Sequence, residues 1–126
     1  MKIVRVLVFG NPVAKIDSAA VKIAERLEKE VKGMEFVRFD TAEDLEKEGD
    51  SLVILDAVVG LKKPRLVNLD ELELRKAVSL HDFDLGWNLR LLKRIGKLNS
   101  VAIIGVPADQ PVSKNLNAVK KLLLSL

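Results

Sequence analysis

Three side chains in this sequence are of types that can hold a divalent cation, and each stands where the chain changes direction. Asp17 follows the turn Gly10-Asn11-Pro12 that ends the first apolar run. Asp56 closes the apolar run SLVIL, and His81, the only histidine, opens a helical stretch in SLHDFDLGW. Two carboxylates and one imidazole, with coordination positions left over, suit a transition metal such as nickel, zinc or iron. A metal so held can polarise a carbonyl or lower the pKa of a bound water. Each residue also has an ordinary reading: Asp17 as a helix N-cap, Asp56 as a cap on the loop beyond its strand, His81 as a surface histidine at a helix start. The spacing itself is not that of a compact His-x-x-x-His site, so convergence in space is what the metal reading requires. There is no cysteine, and one histidine cannot serve both a metal and a serine, so no Ser-His or Cys-His nucleophile pair competes.

The elements that must position these residues alternate. Residues 2–9 (KIVRVLVF) form a strand, and Ala20, Ile23, Ala24, Leu27 and Val31 recur as one face of a helix that Gly33 stops. Residues 35–39 form a second strand, and Thr41 to Lys47 a short polar helix or loop whose Thr41 and Asp44 fit a capping box only loosely. Residues 51–59 are apolar on both faces, as in a central strand covered from both sides, whereas 65–69 read as a strand nearer an edge. A helix over 83–95 turns Leu85, Leu89, Leu92 and Ile95 inward, with Trp87 either in the core or on a contact surface. Residues 101–106 repeat the buried-strand signature. A last helix presents Leu116, Val119, Leu122 and Leu123. The alternation predicts a single α/β domain over 1–126, a three-layer αβα sandwich around a mostly parallel twisted sheet of about five strands. In such folds ligands gather at the carboxyl ends of the strands, the edge to which Asp17, Asp56 and His81 are all assigned.

Composition excludes several classes. The 126 residues are 48% hydrophobic, enough for one core. Twenty-one basic against 18 acidic residues leave a net charge of +3, spread along the chain, which argues against a nucleic-acid or anionic-membrane partner. The opening MKIVRVLVFGNP reads as a buried strand with no cleavage site, not as a signal peptide or membrane span, so a cytoplasmic protein is expected. Lys62-Lys63-Pro64-Arg65 is either a solvated loop or a contact for an acidic partner.

Over nearly its whole length the chain resembles the nickel-iron hydrogenase maturation endopeptidases. The resemblance lies in Gly10-Asn11 followed six positions on by Asp17, in Asp56 within LDAVVG, in His81 at a helix start, and in IIGVPAD before the last helix. It departs at Ile16, where the family has a second acid, at Ala20, where a glycine is usual, and at Asp40-Thr41-Ala42, where glycines commonly follow the acid. The resemblance implies an endopeptidase that removes a carboxyl-terminal extension from the hydrogenase large-subunit precursor after nickel insertion. Asp17, Asp56 and His81 would be its catalytic and metal-binding residues. The nickel is supplied by or shared with the precursor, other divalent cations can substitute, and a metal-free protein on purification is normal. Asp40 is a candidate for the substrate groove, with loop capping as its alternative. A monomer is the expected state. Two other functions stay open: a catalytically silent relative serving as a docking or metallochaperone factor, and a small α/β module binding a nucleotide or other anion. Against the latter, the first turn lacks a glycine-rich phosphate loop, and Asp17 would repel a phosphate.

Overall fold

A computed structural model describes residues 4–10, 18–39, 45–74 and 80–126, the side chains of 73, 74 and 80–84 excepted. Its strands are β1 (Val4–Phe9), β2 (Met34–Phe39), β3 (Ser51–Val58), β4 (Arg65–Val67) and β5 (Ser100–Pro107). Its helices are α1 (Ala19–Glu30), α2 (Leu69–Leu74), α3 (Leu80–Arg94) and α4 (Val112–Leu124), with a 3-10 turn at Leu45–Glu48. The strands form one sheet in the order β2-β1-β3-β5-β4. β2, β1, β3 and β5 run parallel, and β4 joins β5 antiparallel as an edge. The three-layer α/β architecture expected from the sequence is the one observed.

Period-two alternation divides β3 between two cores. Leu55 and Ala57 pack with Ile23, Leu27, Leu116 and Val119 of α1 and α4. Leu52, Ile54 and Val58 pack on the other face with Leu85, Leu89 and Leu92 of α3. A strand buried on both faces cannot alternate with polar residues, which is why SLVILDAVV reads as a continuous apolar run.

Several boundaries differ from the sequence reading. α3 starts at Leu80, not Phe83, so His81 lies in its first turn. Ile95, expected inward, is 54% exposed. It follows the last residue of α3, and Gly96 at φ +80° bends the chain away there. The strand expected over 65–69 ends at Val67, because Asn68 begins α2: its side-chain Oδ1 accepts from the Glu71 amide at 2.8 Å. This Asn-x-x-Glu start, with Asp70 and Glu71 in the first turn, was a legible helix signal hidden by the short apolar run before it. The loose capping box at Thr41 and Asp44 lies outside the described residues.

Gly105 of β5 is a position of close approach. A Cβ there would stand 2.7 Å from Leu61 Cδ1, 3.1 Å from Val58 Cγ2 and 3.2 Å from Val67 Cγ1. The leucine tip can rotate, but the two valines are stiff at χ1. Gly105→Ala is therefore expected to destabilise the protein by about 1–3 kcal/mol in urea unfolding, and Leu61→Ala in the same chain to recover part of that loss. An unchanged midpoint would show that the row over Gly105 is not packed this tightly.

Candidate functional site

Asp56 is the one sequence-predicted site residue whose side chain is described, and it is fully buried, at 0% exposure. The sequence reading had it closing its strand. It is instead the sixth of eight residues in β3, because the ladder continues through Ala57 opposite Val106 and Val58 opposite Pro107. Alternation places it on the face of Leu52, Ile54 and Val58, the face that α3 covers.

Across the sheet Asp56 lies in a row whose β5 position is closed over by Leu61, Val58 and Val67. Its partner on β5 is Gly105, which has no side chain, and Gly105 in turn stands opposite Arg65 of β4. On the other side Val8 pairs with Leu55, so Phe9 comes level with Asp56 one step further along. Phe9 is opposite Phe39, their ring centroids 5.6 Å apart. One carboxylate is thus set between an aromatic pair and a glycine. Arg65, the cation nearest along the row, is engaged by Glu71 of α2, with Nη1 and Nη2 donating to the two carboxylate oxygens. That pairing holds the Arg65 guanidinium above its ordinary pKa.

The other candidates are reached in part. His81 stands in α3 four residues, about one turn, before the buried Leu85, on the helix that covers the Asp56 face. Its side chain lies outside the described residues, as do Asp17 and Asp40 altogether. The N-cap position of α1 is Ser18, 2% exposed. Among the described residues no three His, Cys, Asp or Glu side chains converge as a metal site. What can be tested of the donor set is Asp56: an oxygen donor held by strand geometry in a low-dielectric setting, where attraction to a cation is strong.

The sequence reading missed the residues that brace this edge. Gln110 Nε2 donates to the Lys62 carbonyl at 3.0 Å, tying the loop after β5 to the loop after β3, and Asn115 Nδ2 donates to Gln110 Oε1 at 3.1 Å. Asn115, only 4% exposed, is a polar residue on an otherwise apolar helix face, and that was the available signal. Beside these loops lies an open groove of about 640 Å³ between the starts of α1 and α4, lined by Ser18, Lys22, Asp109 and Val112 among others. Among the described residues no helix is long and apolar enough to cross a membrane.

No family model and no curated protein matches the chain. Solved structures do. The hydrogenase maturating endopeptidase HybD from E. coli is 22% identical, with a TM-score of 0.73 over 99% of this chain and 91% of that one. A hydrogenase 3 maturation protease is 22% identical at a TM-score of 0.65, covering 94% of this chain and 88% of its own. A hydrogenase 2 maturation peptidase from Thaumarchaeota archaeon SCGC_AB-539-E09 is 20% identical at a TM-score of 0.55, covering 98% and 97%. The TM-scores and near-complete coverage show that the protein has the fold of the hydrogenase maturation endopeptidases.

Proposed function

We propose that the protein is a cytoplasmic endopeptidase that removes the carboxyl-terminal extension of a nickel-iron hydrogenase large-subunit precursor once nickel is in place. Asp17, Asp56 and His81 together recognise the nickel carried by that substrate. The observation that supports this reading is Asp56: a fully buried carboxylate near the carboxyl end of the central strand, in a fold whose named neighbours are hydrogenase maturation proteases. A carboxylate oxygen is a hard anionic donor of the kind that divalent cations take, and the β3 ladder fixes where this one stands. Asp56 supplies an anionic oxygen fixed by the β3 ladder, His81 a nitrogen from the first turn of α3, and Asp17 a second carboxylate from the approach to α1. Bound metal supplies Lewis-acid polarisation of the scissile carbonyl or of a water. Asp40, following β2, lines the path of the substrate chain.

The experiment is a cleavage assay on nickel-loaded precursor, read by mass spectrometry, alongside titration of nickel or cadmium into the protein. Release of the extension by the wild type is expected. Metal binding is expected to weaken at least tenfold in Asp17→Ala, Asp56→Ala and His81→Ala alike. Equal metal binding by all four proteins would remove the site. Precursor binding without cleavage would make the protein a docking factor.

A further inference from the structure

α3 covers the sheet with Leu85, Leu89 and Leu92 and turns a second apolar line outward. Trp87 is 57% exposed, Leu91 39% and Ile95 54%, at successive spacings of four residues, one stripe along the helix. Single exposed apolar residues are ordinary, but a continuous stripe headed by a tryptophan is the composition of an interface centre. Alongside it, an open groove of about 560 Å³ between α2 and α3 is lined by Asn68, Leu69, Asp70, Arg90, Lys93 and Arg94. That groove holds three cations against one carboxylate, and the carboxylate is already engaged, Arg90 Nη2 donating to Asp70 Oδ1 at 2.7 Å. Among the described residues neither Lys93 nor Arg94 has an ion-pair partner.

We infer that this face of α3 is where the large-subunit precursor docks, through a segment that sets apolar side chains on the Trp87-Leu91-Ile95 stripe and carboxylates in the Arg90-Lys93-Arg94 groove. The inference rests on the function proposed above and adds to it the surface used and the chemistry of the partner. Charge decides the occupant. A second copy of this chain would bring cations against cations, whereas an acidic, apolar segment satisfies both halves of the surface. Position agrees, since the stripe starts at Trp87, six residues or about 9 Å along the helix from His81. A partner seated there lies along the helix that carries the candidate imidazole.

The test is steady-state cleavage of the nickel-loaded precursor by wild type, Trp87→Ser, Leu91→Ser and Arg94→Glu, each first shown to unfold at the wild-type temperature. Trp87→Ser and Leu91→Ser are expected to raise KM roughly tenfold or more with kcat within about twofold. Arg94→Glu is expected to raise KM and flatten its rise with added salt. Cleavage by the wild type with unchanged KM in all three variants overturns the docking surface and leaves the proposed function standing. If the wild type does not cleave, that function fails, and binding is read instead from 5-fluorotryptophan at position 87, the only tryptophan in the chain. A fluorine shift on adding precursor supports docking on α3, and no shift overturns it. A shift with phosphatidylglycerol vesicles in place of the precursor, or dimerisation abolished by Leu91→Ser, also overturns it.

Discussion

Asp56→Asn is expected to lose at least roughly a hundredfold in precursor cleavage while melting within a few degrees of the wild-type temperature. The two halves of that result come from one fact, the complete burial of the carboxylate in β3. Asparagine has nearly the same shape and keeps one carbonyl oxygen as acceptor, so the row of Phe9, residue 56 and Gly105 need not repack. What the amide cannot supply is an anionic ligand to a cation. A purely structural Asp56 makes the opposite forecast, a lower melting temperature and cleavage reduced only in proportion to unfolded protein. Differential scanning calorimetry with a cleavage assay at low temperature separates the two. Activity within threefold of wild type would end the case for Asp56 as a ligand.

Phe9→Ala should produce the largest loss of stability of the substitutions considered, about 3–5 kcal/mol, or roughly 10 to 20 °C in Tm. Phe9 is at 0% exposure at the end of β1, packed among Leu7, Ile54 and Val58 and tilted against Phe39. Strands on a sheet cannot close over a deleted ring as a loop can, so most of the cavity should persist. The loss is a large share of the ~5–15 kcal/mol typical of a domain this size. Leu66→Ala is the control: at 48% exposure on edge strand β4, it should change stability by no more than about 0.5 kcal/mol. Urea unfolding of both variants checks the contrast. A Phe9→Ala protein melting within a few degrees of wild type would mean that the sheet face around Asp56 is looser than described.

Much of the fold was legible because hydrophobic period is a local property. SLVILDAVV announces a doubly covered strand, and its place at the centre of the sheet follows from that coverage alone. The helix face of Ala20, Ile23, Ala24 and Leu27 follows from 3.6 residues per turn in the same way. α2 was obscured because a three-residue strand and a six-residue helix are each too short for period to register, and only the Asn68 cap marks the switch. Ile95 misled because its spacing continues the apolar face of α3, while the glycine that ends that face acts one residue later.

Sequence by itself determined that strands and helices would alternate around a mostly parallel sheet, and that Asp17, Asp56 and His81 were the candidate ligands. Only tertiary structure decided that Asp56 lies on the face under α3, with a glycine on one side and Phe9 level with it on the other. Strand length depends on how far the neighbouring strand continues to offer hydrogen bonds, and here β5 runs on to Pro107. That extent, like the outward turn of Trp87, is set by contacts between segments remote in the chain, which no local pattern encodes.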